Sequence, residues 1–341
     1  MTTLDEALER LRDTGPERAG WLSNHAPMAA EAMVRHGHAD AVHRWIDTYS
    51  LEERPRGISP IEPDQWRDPL GDPVRTGDWI AYFERAVREA PWRDVLTVWW
   101  PRLLPGIAAG ATHGVIRVGH AVRALLSAPL SAPLSAPSEP RVMELAHGLA
   151  YWAARWQPLA PAGAGPYRAS DPRAALDAVP RVPDQRFGIR HRLAQLATVP
   201  SWQSGGVPGD GSHEERLRGI VSAAVLRHHS HGYGNPVMLV HAATAPAAVL
   251  RTLPALPPSL HGPSVAAAWA ATAAVTAAYS PATPRPADAA GSADPEAVMD
   301  LAVKSGDAHA IKFADTAIEA FGFAGDARLL AAADNATRMI D

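Results

Sequence analysis

Asn24-His-Ala-Pro-Met-Ala-Ala-Glu-Ala-Met-Val-Arg-His-Gly-His-Ala-Asp-Ala-Val-His-Arg-Trp45 decides the fold class. After Pro27, apolar side chains fall at Met28, Ala29, Ala32, Met33, Ala39, Val42 and Trp45. Spacings of three and four line one face of a helix, and Asn24-His25 forms the polar end of that segment. The same period recurs at Thr3 to Thr14, Trp79 to Ala90, His113 to Leu126, Arg141 to Trp156, Glu215 to His228, Val237 to Thr252, Val265 to Ala278, Pro295 to Lys304 and Ala308 to Phe321. Ala, Leu and Arg favour helix, and alternating β-branched runs are almost missing. The expected fold is all-α: one large helical bundle domain over residues 1–341.

Three stretches interrupt the pattern, at 127–140 (an imperfect Ser-Ala-Pro-Leu repeat), 158–183 and 281–295. Proline at this density cannot continue a helix, so these are expected as surface loops. They are not read as domain boundaries, because candidate ligands lie on both sides of each.

With 341 residues, 47% of them hydrophobic, the chain can bury one large core or two modest ones. A net charge of −4, with Lys and Arg scattered, leaves no basic stripe for nucleic acid or an anionic bilayer. Met1 to Arg12 is polar and amphipathic, and no apolar run is expected to reach the roughly 18 residues of a membrane span, so the expected location is cytoplasmic. There are no cysteines, which excludes disulfides, thiolate zinc sites, iron–sulfur clusters and cysteine nucleophiles. Any metal must take nitrogen and oxygen ligands. Gly206-Val-Pro-Gly209-Asp-Gly211 has the wrong spacing for a dinucleotide loop, and Walker A, H-E-x-x-H and G-x-S-x-G are missing. The single Glu144-x-x-His147 pair is half of what a helical carboxylate di-metal site needs.

The 15 histidines fall into two kinds. His36, His38, His43 and the tract His228-His229-x-His231 crowd polar surroundings and are expected exposed or near helix caps. His25, His113, His241 and His309 instead stand alone at the heads of apolar helices. Inward-facing imidazoles from separate helices of a bundle converge, and neutral imidazole ligates iron, copper, nickel or zinc. Lys312 shares a helix face with His309 at i, i+3. Three readings are open for it: a snorkelling lysine, a buried ion pair with Asp315, or a carbamylated lysine serving as an oxygen ligand, which requires the neutral amine.

Gly15-Pro-Glu-Arg-Ala-Gly-Trp-Leu-Ser-Asn-His-Ala-Pro-Met28, Thr112-His-Gly-Val-Ile-Arg-Val-Gly-His120, Met238-Leu-Val-His-Ala-Ala-Thr244 and Asp307-Ala-His-Ala-Ile-Lys312 resemble, in order, successive blocks of questin oxidase-like proteins. The resemblance implies oxidative ring opening of aromatic polyketides such as anthraquinones, a secondary-metabolism reaction. It also implies a mononuclear non-haem Fe(II) held by His25, His113, His241, His309 and carboxylated Lys312, with dioxygen and an aromatic substrate as partners and an external reductant such as NADPH as a further candidate. Where fungal members carry His and an aromatic residue in the second block, this chain has Arg117 and His120, a departure that bears on the substrate. Asn24, Arg117 and His120 are the polar groups expected beside the substrate, with helix capping and solvated helix faces as the competing roles. The alternatives are a helical binder of hydrophobic ligands, suited by the 11 tryptophans, and a zinc hydrolase using the same ligands.

Overall fold

The computed structural model describes residues 2–127, 137–160, 162–169, 171–204, 211–286 and 291–340. They fall into two compact units, Met1–Pro158 with Arg251–Leu260, and Leu159–Leu250 with His261–Asp341. Helices carry nearly all the regular structure, as the periodicity predicts.

The first unit contains α1 (Thr3–Leu11), a hairpin of β1 (Glu17–Arg18) and β2 (Leu22–Ser23), α2 (Ala26–Arg35), α3 (Val42–Thr48), α4 (Thr76–Glu89), α5 (Trp92–Leu103), α6 (His113–Leu126) and α7 (Glu139–Arg155). The segment expected as one helix through Trp45 is two. Gly37 adopts φ 87°, a left-handed conformation that ends a helix, and α3 restarts at Val42. Helices α6 and α7 form the central seam, flanked by α4 on α7 and α2 on α6. Glycine permits the close approach: a Cβ on Gly114 would lie 2.6 Å from Trp152 Cβ and 2.8 Å from its Cα. The buried tryptophans 79, 99, 100 and 152 fill this core edge to face, with Trp79–Trp99 ring centroids 5.5 Å apart and Trp100–Trp152 5.4 Å apart.

The second unit contains β3 (Ala162–Ala169), α8 (Pro172–Asp177), α9 (Ile189–Leu193), β4 (Val199–Ser204), α10 (His213–His231), α11 (Pro236–Leu239), α12 (His241–Thr252), α13 (His261–Tyr279), α14 (Pro295–Ser305), α15 (Ala308–Ala324) and α16 (Arg328–Ile340). The last two residues of α12 belong to the first unit. Among the described residues, strands form only two pairings, β1–β2 antiparallel and β3–β4 parallel. Stretch 158–183, expected as a loop, instead supplies β3 and α8, the latter capped by Asp171, whose side chain accepts from Ala174 N–H. Residues 128–136 and 287–290 of the other two expected loops lie outside the described residues.

Pro236–Ala255 is long and apolar enough to cross a membrane, contrary to the expectation that no segment is. Its most apolar window is 83% buried within the protein, as befits a core helix. Within α12, Pro246 has no N–H to offer the carbonyl of Ala242, four residues back. Thr272 of α13 supplies the missing donor, its Oγ1–H reaching Ala242 O at 2.9 Å.

Two substitutions test this packing by urea denaturation. Gly114→Ala forces apart a backbone seam and is expected to cost about 1–3 kcal/mol. Thr272→Val leaves the carbonyl next to His241 buried and unsatisfied, an expected loss of about 1–3 kcal/mol. Wild-type midpoints in both variants would show that these contacts are slack.

Candidate metal centre

In the first unit the β1–β2 hairpin delivers His25 to the start of α2. Its three-residue turn uses Ala19 at φ 48° and Gly20 at φ 80°, both in the left-handed region. Tyr151 Oη meets Ser23 Oγ at 2.6 Å, and Arg155 pairs with Glu17, tying the hairpin to α7. Asn24 donates to Thr14 Oγ1 at 3.1 Å and Gly15 O at 2.8 Å, and accepts from Ala26 N–H at 3.0 Å. It clamps the backbone on both sides of His25, which itself stands at the N-cap of α2.

His25 and His113 are both buried, their Nε2 atoms 2.8 Å apart and their ring centroids 4.7 Å apart. Each Nδ1 is engaged: that of His25 with Tyr49 Oη at 3.0 Å, that of His113 with Gly110 O at 2.6 Å. Gly110, Ala111 and Thr112 adopt φ 55°, 55° and 65°. Two of these are not glycine, so the approach to His113 holds backbone strain of the kind that clusters at functional sites. It turns the Gly110 carbonyl back onto the imidazole.

Arg117 and His120 lie further along α6 and are committed elsewhere. Arg117 forms a two-pronged ion pair with Glu144, Nε–Oε1 2.6 Å and Nη2–Oε2 2.8 Å. His120 Nδ1 lies 2.7 Å from Glu31 Oε2, and its Nε2 lies 3.2 Å from Arg251 Nη1. A carboxylate only accepts and a guanidinium only donates, so His120 is neutral with its proton on Nδ1. Burial depresses its pKa, against the pull of Glu31. Burial alone would raise Glu31, but the Arg123 charge and the bond from His120 hold its carboxyl well below the usual range. His147 is likewise bound to Glu84, at 3.0 Å. The three residues expected beside the substrate thus hold the helices of this unit together.

In the second unit, His241 is fully buried and its Nδ1 meets Met238 O at 3.1 Å, across the interruption between α11 and α12. His309 starts α15. Its Nδ1 lies 3.3 Å from Asp307 Oδ1, the same oxygen that caps the helix by accepting from His309 N–H at 2.6 Å and Ala310 N–H at 3.2 Å. Burial would raise the Asp307 pKa, but His309 and these amides hold it down at about 2. The His241 and His309 ring centroids are 5.6 Å apart.

Lys312 is completely buried, and its Nζ has no hydrogen-bond partner among the described residues. Burial pushes its pKa down to about 7, against a weaker opposing pull from Asp307. The snorkelling reading fails on burial. The Asp315 ion pair fails too, since Nζ has no such partner among the described residues. Burial therefore favours the neutral amine, the form that carbamylation requires.

His228 and His231, expected exposed or near a helix cap, lie in the last turn of α10 and are buried. His228 Nε2 bonds Pro236 O at 2.9 Å, its ring packs against Phe313, and burial pushes its pKa down to about 4. His36, His38 and His43 are half-buried.

All four candidate ligands share one chemistry. Each turns Nδ1 toward an oxygen beside it, a contact that fixes the orientation of the ring. Residues 22–128 match the family model described as Questin oxidase-like. The resemblance read from the first two motif blocks therefore holds over the segment that supplies His25 and His113. No curated protein matches the chain. The third and fourth blocks lie outside the matched segment and rest on their own geometry.

Replacing Lys312 with Met should stabilise the metal-free protein by about 1–3 kcal/mol near neutral pH, since it removes a buried, unsatisfied donor. The sign of the pH effect follows from linkage. From about pH 7 up to the ordinary lysine range, the unfolded chain holds a proton that folded Lys312 lacks. Metal-free stability therefore rises with pH across that window, and the increment disappears below it. Urea titrations at several pH values should show this rise in the wild type and its loss in Lys312→Met. A less stable methionine variant would mean that the amine has a partner holding it.

Proposed function

We propose that this chain is an oxidoreductase, a non-haem iron oxygenase that opens the ring of an aromatic polyketide of anthraquinone type. In this reading His25, His113, His241, His309 and carbamylated Lys312 hold Fe(II), and an external reductant such as NADPH supports turnover. The observation that carries it is the common arrangement of the four imidazoles, each with Nδ1 held by an oxygen, together with a buried amine that has no hydrogen-bond partner among the described residues. The questin oxidase-like match over 22–128 supports the reaction class.

Bound iron would supply the capacity to activate dioxygen. This chain's residues do the rest. The Nδ1 contacts hold each ring at a set angle, so the ligand nitrogens need little reorganisation. Carbamylation of Lys312 turns a would-be cation into an anion and offers an oxygen ligand, partly balancing the metal's charge. Tight packing around the histidines excludes water that would divert reactive oxygen species.

The test is iron content by elemental analysis after anaerobic reconstitution with Fe(II), read alongside oxygen uptake with a hydroxylated anthraquinone. One iron per chain is expected. His113→Ala and His241→Ala should each lose the metal, and Lys312→Ala should lose metal and oxygen uptake together. Lys312→Glu should keep part of both, because a carboxylate imitates the carbamate, and Lys312→Arg should exclude metal by its fixed charge. Full iron content and oxygen uptake in Lys312→Ala would remove the lysine from the ligand set. Tight zinc binding with no oxygen uptake would favour a hydrolase.

A further inference from the structure

Arg67, Arg85 and Arg102 gather on one aromatic cluster of the first unit. Three segments build it: Trp66 and Arg67 from the chain before α4, Tyr82 and Arg85 from α4, and Trp99 and Arg102 from α5. The Arg67 guanidinium lies 4.4 Å from the Trp66 ring centroid. That of Arg102 lies 4.7 Å from Trp66 and 4.8 Å from Trp99, two indoles whose planes meet at 73°. Arg85 lies 5.6 Å from the Tyr82 ring, which meets Trp99 edge to face with centroids 5.4 Å apart. The three rings are buried, Arg85 and Arg102 are half-buried and Arg67 is exposed.

What the cluster lacks is negative charge. Elsewhere in this unit Arg54, Arg75, Arg88, Arg117, Arg141 and Arg155 each pair with a carboxylate. Among the described residues Arg67, Arg85 and Arg102 have no such pair, and the one hydrogen bond from any of them runs from Arg85 Nη2 to Ile61 O at 3.0 Å. Acidic side chains are at hand, since Glu62, Asp64 and Asp68 flank Trp66 in the sequence. Burial and, less strongly, Glu89 raise the Tyr82 pKa, while Arg102 and Arg85 pull it down. None of these carboxylates pairs with the three arginines. Arg67 and Arg102 both lie within 4.7 Å of the Trp66 centroid, so their charges stand less than a Debye length apart and repel. A guanidinium held through its face keeps its in-plane N–H donors for another partner.

We propose that this cluster binds a phosphate group carried by a small molecule, with Arg102 as its central contact and Arg67 and Arg85 on its flanks. The proposal is independent of the metal reading. A phosphate dianion offsets charge that nothing in the chain neutralises. Its tetrahedral oxygens accept from guanidiniums approaching in different directions, whereas a planar carboxylate is matched by one fork. With a net charge of −4 and its other arginines scattered, the chain offers no track to a nucleic acid. Inorganic phosphate and a phosphorylated dinucleotide share the chemistry the cluster selects.

The experiment is isothermal titration calorimetry of the full chain at low ionic strength with inorganic phosphate, acetate, NADPH and NADH. Phosphate should bind saturably, and acetate about 10-fold more weakly or worse. Arg102→Gln should weaken phosphate binding about 10–100-fold. Arg67→Gln changes an exposed side chain and leaves the indoles packed, so its loss of about 3–10-fold should come with an unchanged circular dichroism spectrum. A preference for NADPH over NADH that Arg102→Gln abolishes would assign the site to the extra phosphate of a dinucleotide. Equal binding of the two dinucleotides, beside tighter inorganic phosphate, would assign it to free phosphate. No saturable phosphate binding by the wild type, or wild-type affinity in both Arg102→Gln and Arg67→Gln, would overturn the proposal.

Discussion

An imidazole buried in a helical core must satisfy two nitrogens, and the candidate centre depends on how this chain divides them. One nitrogen of each ring goes to an oxygen supplied a few residues away or, for His25, by the end of the next helix. That choice fixes ring orientation and leaves the second nitrogen directed away from the local backbone. Much of the local irregularity follows from it. The left-handed run at Gly110 to Thr112 presents a carbonyl to His113, the interruption near Val240 leaves Met238 O for His241, and Asp307 caps α15 while holding His309. The first is a strained departure from regular helix and the second an interruption of one, whereas the Asp307 cap also stabilises α15.

Lys312 sharpens the argument, because its cost is not offset by any contact in its own surroundings. A buried donor without an acceptor destabilises a fold, and a methionine of similar length would fill the same space. A residue that violates local rules without local compensation is what a functional site produces. By contrast, two buried arginines of the first unit have carboxylate partners, Arg117 with Glu144 and Arg123 with Glu31, and neutral His120 bonds to Glu31 as well. Those groups specify how α2, α6 and α7 pack, and their polar atoms are committed to one another.

Helix positions were legible in the sequence wherever an apolar stripe and its ends coincided, and α6 begins and ends where the period predicts. Breaks depended on backbone conformation that composition does not encode. Gly37 could have continued a helix with only a modest penalty, yet it adopts a positive φ and splits the second segment. α5 buries one face at helical spacing, Val95, Leu96, Trp99, Trp100 and Leu103, but the proline inside it, Pro101, argues against a helix in the sequence, and the period gave no warning of α16. Isolated histidines at helix heads were readable as candidate ligands; the His228 tract sits near a helix end as read, but the burial of His228 and His231 was not legible, since polar neighbours in sequence need not be neighbours in space. Tyr49 was invisible: nothing in the spacing from His25 to Tyr49 marks a phenol for an imidazole. The short β3–β4 pairing was hidden in a Pro- and Gly-rich stretch that lacks the alternation of an ordinary strand.

X-ray absorption at the iron edge of protein reconstituted with Fe(II) tests the central claim most directly. If engaged Nδ1 atoms leave four Nε2 ligands and a lysine carbamate supplies an oxygen, the spectrum should show nitrogen and oxygen neighbours at about 2.0–2.2 Å. The outer-shell scattering should be that of about four imidazole rings, as the arrangement in these helices requires. A shell of oxygens without imidazole scattering, or iron lost on simple dialysis, would contradict the account.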